Sequence, residues 1–548
     1  MKALKGPFKG KTHPPRYGFH KYWARKPANV ISRHIMHYTK AGEVVLDPFC
    51  GSGVSVIESL IADRRAIGID VNPLAIHLVR TTILGAKSDG LQEAFSELEK
   101  SVGRRIRKTM TTSCPLCDEA AEIKYRVWSS VATCPQCANE QVLAKPGERA
   151  PRTIRCKKCN HSLPATTVKQ DALNSFTLDC KNCRPKGKLF KAKGKSKLGP
   201  DTSAGFITNK RILAHAGLRI GHLYIEENWR HLKSLERAIN KLPAAHQEVF
   251  LLALTATAAQ ASRLIPFRKN LSTGGPAWTV PGFWIPRVHL QMNVWRSFKS
   301  RCKRLFRGLQ DAQSSGLAPK ELVDIKELNK GDASIFLGDA KKTDLPSESV
   351  DYIITDPPYG DSVPYLEFSQ LWFPLLKKLP DFGKEIVISD SAKREKGLAA
   401  FTKGLSQAFT EMYRVLKKGR YLTCFFQNRS LDVWQALGRA AQGAGFHLEH
   451  VEVVEPAVVS AKSQLARSGS LTGDVVLQFI KPKAKRVKKS STKNWKKVAR
   501  KAAQDYKKAV TKEPTFEELA SAVLVSLWQN DVICGQGDLE DLLAEFSS

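Results

Sequence analysis

The residues best suited to chemistry are Asp356, Pro357, Pro358 and Tyr359, a DPPY tetrad set directly after the apolar run VDYIIT. Adjacent prolines stiffen the chain into an extended path and remove backbone donors, so their carbonyls stand as fixed acceptors. A carboxylate and an aromatic ring flank them. That set suits an exocyclic amino group on a base swung out of its stack. Asp356 and the Pro357 carbonyl accept its two N–H bonds, and Tyr359 stacks on the ring. Such an amine is a poor nucleophile because its lone pair is delocalised. Attack builds positive charge on the nitrogen, which a fixed carboxylate stabilises.

The loop DPFCGSG, from Asp47 to Gly53, is a second candidate. Gly51 and Gly53 clear side chains from a strand end, so the backbone can approach a ligand closely. A dinucleotide fingerprint would need a further glycine at Val56, and GPFKGKT near the N-terminus is one residue short of a phosphate loop and follows no strand. Asp47, ahead of the turn, suits a ligand carrying an amino group. Asp70 ends the next apolar run, RAIGIDVNP, where parallel sheets place an acid for ribose hydroxyls; helix capping ahead of Asn72-Pro73 is the competing role. The two acids with the glycine loop favour an adenosyl ligand.

Cysteine spacing supplies a third group. Eight of the 12 cysteines fall in four C-x-x-C pairs: Cys114, Cys117, Cys134 and Cys137, then Cys156, Cys159, Cys180 and Cys183. Taken in chain order, each set of four predicts a closed thiolate site for zinc, in two tandem ribbons. All-cysteine coordination leaves no open position, so both ions would be structural. Cys50, Cys302, Cys424 and Cys534 lack partners at metal spacing and read as ordinary core or loop residues. Metal spacing, rather than a disulfide framework, predicts a reducing cytoplasm, with the nucleoid as workplace.

The elements that must position these groups follow a strand, loop, helix rhythm. A helix is expected between residues 13 and 42, with Val30, Ile31, Ile35 and Met36 on its apolar face. Apolar runs then end at Asp47 and Asp70, and the pattern resumes near Ala340, Tyr359, Phe426, Val454 and Ile480, giving about seven strands with intervening helices in a mostly parallel α/β sheet. The expected division is residues 1–90 and 331–482 for the two parts of the sheet domain, 91–200 for the ribbon insertion and 201–330 for a mostly helical insertion. A flexible or weakly helical basic arm (483–512) and a C-terminal helix (513–548) complete it. The apolar stretch from Val249 is too short to span a membrane and reads as a buried helix.

With 548 residues, 42% apolar and 25% charged, disorder is excluded as the main state. The net charge of +35 makes a polyanion, nucleic acid, the first partner to expect. No charged-then-apolar signal segment opens the sequence. Phosphate contacts are expected from Lys157, Lys158, Lys181, Arg184 and the run after Lys481. Sequence reading is expected from the ribbons and residues 204–310, where Trp278, Phe283 and Trp284 either hold the extruded base or belong to the core.

DPFCGSG, the acid of GIDVNP, GDA at Gly338 to Ala340 and DPPY together resemble the amino-methyltransferases of DNA. Their combination with TDPPYGDSVPYLEFSQLW and the cysteine insertion is similar to adenine-specific DNA methylases containing a zinc ribbon. The resemblance covers about residues 13–84 and 330–480, plus GGPAWTVPGFWIP. It implies a class I methyltransferase fold, a doubly wound seven-stranded sheet, using S-adenosylmethionine. Asp47 would then lie near the methionine amino group, with Pro48, Phe49, Gly51 and Gly53 forming the loop, Asp70 on the ribose, and Asp339 and Ala340 beside the adenine. HKYWARKP resembles a family segment that places Lys26 and Pro27 near the methionine end, although His20 is displaced and Trp23 and Arg25 are additional. The activity implied is methylation of the 6-amino group of adenine in double-stranded DNA, with a companion restriction nuclease as a possible partner. Cytosine 4-amino methylation, RNA guanine 2-amino methylation and a non-catalytic zinc-ribbon nucleic-acid-binding protein are the alternatives.

Overall fold

The computed structural model describes residues 2–148, 153–185, 187–201, 206–209, 212, 217–268, 282–317, 320–428, 430–455, 474–484, 495–510 and 516–530. Its main sheet comprises β1 (Phe8–Lys9), β2 (Val44–Asp47), β3 (Arg65–Asp70), β4 (Ala333–Leu337), β5 (Tyr352–Thr355), β6 (Tyr421–Phe426), β7 (His447–Glu455) and β8 (Asp474–Ile480). These pair in the order β1-β7-β8-β6-β5-β2-β3-β4. All pairings are parallel except those of β8, which runs antiparallel to both β6 and β7. Seven strands fall on the apolar runs of the sequence. The eighth, β1, is only two residues long and lacks any apolar run that could have revealed it.

Central strands β2, β5 and β6 are buried at every position. This explains their continuous Val, Ile and Phe character, since helices cover both faces of a parallel sheet. The first helix, α1, is Ala28–Tyr38. Its inward face includes Val30, Ile31 and Ile35, while Met36 is 56% exposed and does not belong to the apolar face expected for it. Helix α2 (Val54–Ile61) follows the glycine loop, and α3 (Pro73–Ala86) follows β3. Pro73 starts α3 where its missing N–H costs nothing, and the Asn72 side chain accepts from Leu74 N at 3.0 Å.

The insertion is not a plain sequence of ribbons and then helices. Strands Ala120–Thr133 and Val168–Asp179 form a long antiparallel hairpin, and Val288–Met292, from the region expected to be helical, pairs with the first of them. Its short alternating pattern is obscured by the Gly- and Pro-rich stretch before it. Helix Ala244–Ala261 contains the apolar stretch from Val249 and is largely buried. Among the described residues, no helix is long and apolar enough to cross a membrane.

Within the Lys-rich segment expected to be a flexible or weakly helical arm, Trp495–Ala509 is a 15-residue helix with Ala499 and Ala503 fully buried. It packs with helix Phe516–Gln529, whose Leu519, Val523, Leu524 and Leu527 join the sheet-domain core. Small residues four apart form a contact stripe that a count of lysines conceals. Trp528 lies against Gly438, where an added Cβ would come within 2.3 Å of its ring.

Candidate active site

Parallel strands deliver their last residues to one edge of the sheet, and the strand order reverses between β2 and β5, where such folds open a crevice. Asp47 ends β2, Asp70 ends β3, Asp339 follows β4 and Asp356 follows β5. All four line one cleft, together with Lys26, Pro48, Phe49, Gly51, Ala340 and Pro358. Pro27, Gly53, Pro357 and Tyr359 are not among its walls.

Both loop glycines have left-handed backbones, with φ of +49° at Gly51 and +78° at Gly53. A Cβ on Gly53 would fall 2.4 Å from Val79, and one on Gly51 3.0 Å from the Tyr22 ring, so both space and conformation require glycine. Asp47 holds the loop from inside. Its carboxylate accepts from Phe49 N at 3.1 Å, from the Thr355 hydroxyl at 2.7 Å and from the Ser55 hydroxyl. Asp70 accepts from Gly51 N at 2.9 Å and Asn72 N at 2.8 Å. Burial pushes Asp47 up to about 6 and Asp70 up to about 7, against these hydrogen bonds. Among the described residues neither has an ion-pair partner, so a cationic ligand in the cleft would relieve both. Asp339 is compensated by Lys341, 3.3 Å away.

Asp356 stands in a different environment. Tyr359 donates its hydroxyl hydrogen to one oxygen, and Lys26 Nζ lies 3.4 Å from the other. Burial raises the Asp356 carboxyl to about 7 although Lys26 pulls it down. Lys26 also bonds Asp474 at 2.9 Å and lies 4.9 Å from the centre of the Tyr359 ring. Burial opposes its charge, but the two carboxylates outweigh it and hold the lysine above its usual range. Tyr359 is 6% exposed and meets Phe426 edge-on at 5.3 Å, so in this conformation its face is packed in the protein.

The aromatic rings that do line the cleft are Tyr22, Trp23 and Tyr365, with Phe49 and Phe425. Tyr22 and Tyr365 stack at 5.9 Å. Of the aromatics proposed from sequence, Phe283 is buried against Phe206 at 4.7 Å, Trp284 is half exposed and Trp278 lies outside the described residues. Arg25, an addition to the family-like segment, donates to Ser52 Oγ at 3.0 Å and to the His20 carbonyl at 2.8 Å, tying that segment to the glycine loop. His20 is buried beside Thr255, and burial lowers its ring to about 3. Besides Tyr22 and Tyr365, sequence reasoning missed Asp474. It heads the apolar run DVVLQFI, and only an antiparallel β8 brings that end to the cleft.

Cysteine pairing departs from chain order. Cys114 and Cys117 meet Cys180 and Cys183, while Cys134 and Cys137 meet Cys156 and Cys159, all sulfurs in each set lying within 4.8 Å of one another. The sites are nested, one at each end of the hairpin, because antiparallel pairing of Glu122 with Asp179 brings the outer pairs together. Neighbouring sulfurs approach to 3.3–3.7 Å in the first set. Tetrahedral zinc with bonds of about 2.3 Å sets its sulfurs about 3.8 Å apart, so the donor sets fit that ion. Lys157, Lys158, Lys181 and Arg184 are exposed on the turns that carry these cysteines.

Residues 4–80 and 350–533 match the family described as DNA methylase, the N6 and N4 amino type. Those two segments are thus similar to DNA amino-methyltransferases. The matched segments bracket the ribbon and helical insertion, and the second continues past residue 480 through both C-terminal helices. Over 50 residues the chain is 40% identical to the type II methyltransferase M2.MboI of Moraxella bovis, covering 9% of this chain and 18% of that protein. It therefore spans less than a fifth of the curated relative it matches. A candidate DNA modification methylase from Thermus thermophilus aligns over 30% of this chain and 61% of its own at 14% identity, with a TM-score of 0.17. The same protein complexed with S-adenosyl-L-methionine gives 15% and 0.16 over the same shares.

Proposed function

We propose that this chain is a site-specific methyltransferase that moves the methyl group of S-adenosylmethionine to the 6-amino group of adenine in double-stranded DNA. The observation that carries this reading is the convergence of Asp47, Asp70 and Asp356 from three neighbouring strands on one cleft. The strand order with β8 reversed supports a class I methyltransferase sheet.

Bound in the cleft, the cofactor supplies a methyl group made electrophilic by its sulfonium charge. Asp47, with Lys26 and Pro27 nearby, would face the methionine end, Asp70 the ribose, and Asp339 with Ala340 the adenine. Pro48, Phe49 and Gly51 would form the floor, with Gly53 turning the loop behind them. Asp356 orients the target amine and stabilises the positive charge that grows on its nitrogen, and Pro357 offers its carbonyl as the second acceptor. Pro358 keeps that segment rigid, and Tyr359 grips the base once its hydroxyl has left Asp356. Holding amine and methyl in line supplies much of the rate. The eight paired cysteines would hold two structural Zn2+ ions. DPPY favours adenine over cytosine, and the type II relative supports a modification role beside a restriction nuclease, acting at the nucleoid in the cytoplasm.

The test is to incubate the protein with labelled cofactor and either DNA or RNA, then digest to nucleosides and identify the methylated species by mass spectrometry. N6-methyladenine from DNA is expected. N4-methylcytosine would reassign the base, and label confined to RNA, or absence of cofactor binding, would overturn the reading.

A further inference from the structure

Lys26 is 6% exposed and stands between two carboxylates, nearer Asp474 (2.9 Å) than Asp356 (3.4 Å). Its place follows from the fold. Pro27 caps α1, so Lys26 precedes the helix at the cleft edge. β8 runs against β6 with Val475 opposite Phe426, which puts Asp474 just beyond the end of β6 on that same edge. One ammonium is thus shared by two acids. Both oxygens of Asp356 are engaged, one by the Tyr359 hydroxyl and one by Lys26. An incoming amine needs an oxygen that can be released to it.

We infer that Asp474 is a positioning residue which draws Lys26 away from Asp356, keeping that carboxylate available to the target amine. This rests on the proposed role of Asp356. Without Asp474 the ammonium would have one carboxylate to pair with and would close upon it, because an isolated pair in a buried setting is far stronger than a shared one. With Asp474 present, two negative charges divide one positive charge, and Lys26 can swing fully to Asp474 when a base arrives. The lysine then screens Asp356 at rest without competing for it during reaction.

The groups that face Asp356 are Lys26, Asp474 on β8, Tyr359, Asp47 on β2, Tyr365 and Cys424 on β6. Asp474 raises the Asp356 carboxyl and Lys26 lowers it. The two substitutions must therefore move its titration in opposite directions. In D474N the acid limb of kcat/KM should move down by about one pH unit, the size expected for one near charge. At high pH kcat should fall about tenfold while cofactor affinity, read by calorimetry, changes little. In K26M the limb should move up. D474E, which keeps the charge, should retain the wild-type limb.

Carboxyl-labelled aspartate NMR of Asp356 reads the same shifts without turnover. If the wild type methylates nothing, the proposed function fails while this inference is still decided by the spectra. A D474N titration that stays in place or moves up overturns the inference. If D474N does not fold, K26M and D474E decide, and a K26M limb that fails to rise overturns it.

Discussion

The Asp47 carboxylate accepts a 2.7 Å hydrogen bond from the hydroxyl of Thr355, a residue 308 positions away in the chain. The bond ties the end of β2, which opens the glycine loop, to the residue immediately before the DPPY segment. Beyond the backbone pairing of β2 with β5, the loop and the end of β5 are therefore joined through one buried carboxylate. Thr355→Val keeps the shape and removes the donor. It should lower stability by about 1–3 kcal/mol and weaken cofactor binding about tenfold, because a buried charged acceptor loses a partner. Urea denaturation and calorimetry measure both, and unchanged affinity would show that Asp47 does not couple the two strands.

Asp356 gives a pH dependence with a definite sign. Its carboxyl is raised to about 7 by burial. As pH falls through that value the group gains a proton and loses the charge proposed to stabilise the attacking nitrogen, so kcat/KM should fall on the acid side with a midpoint near 7 in the free enzyme. Asp356→Asn should lose at least about 100-fold in kcat, the scale of one electrostatic stabiliser, with cofactor binding nearly intact. A rate profile flat from about pH 6 to about pH 8 in the wild type would remove Asp356 from the charge-stabilising role.

Much of the cleft was legible because its residues sit at ends of apolar runs. Asp47, Asp70 and Asp356 each terminate a stretch that can only be a buried strand, and parallel order sends all three ends to one edge. Asp474 was not legible, since it begins its run, and whether a beginning or an end reaches the cleft depends on strand direction, which periodicity does not encode. Cysteine identities were plain from spacing, but nesting required the register of a hairpin whose arms are far apart in the chain. Helix Trp495–Ala509 was hidden by its lysines, which interrupt the set of Trp495, Val498, Ala499, Ala502, Ala503 and Tyr506 that packs on the core. Tyr22 and Tyr365 stack through space from segments separated by the whole insertion, and no local pattern signals such a pair.

Nesting of the two cysteine clusters has a direct consequence if each holds a zinc ion as proposed. Cys114 and Cys134 belong to different sites in this arrangement, whereas chain-order ribbons would place them in one. Each single variant, C114S or C134S, should retain one zinc of two, and the double variant should retain none. Metal content by plasma mass spectrometry decides, and a double variant that keeps one full equivalent would restore chain-order pairing. The strand Ala120–Thr133 separates the sites by about 43 Å at about 3.3 Å per residue. Hydrogen exchange should therefore rise near residues 134–148 in C134S, and in Thr111–Ser113 and the Ala120–Glu122 end it pairs with in C114S.

Helix Val294–Ala312 buries Trp295, Phe298, Cys302, Leu305 and Leu309, and it turns Lys303, Arg304 and Arg307 to solvent. Among the described residues, none of these three cations forms an ion pair with a carboxylate. Arg301, on the same helix, acts electrostatically on His20, which places the helix beside the segment leading to Lys26. Three exposed cations on one helix face suit contact with phosphates, and their partners would be backbone rather than bases. Replacing all three by glutamine should weaken binding to every duplex alike, without changing which sequence is methylated. For every phosphate left without its cation, the dependence of log affinity on log salt should become shallower by about 0.9. Fluorescence anisotropy with a labelled duplex at several salt concentrations reads that slope. An unchanged slope would move the phosphate-binding surface to the cysteine turns, where Lys157, Lys158, Lys181 and Arg184 are exposed.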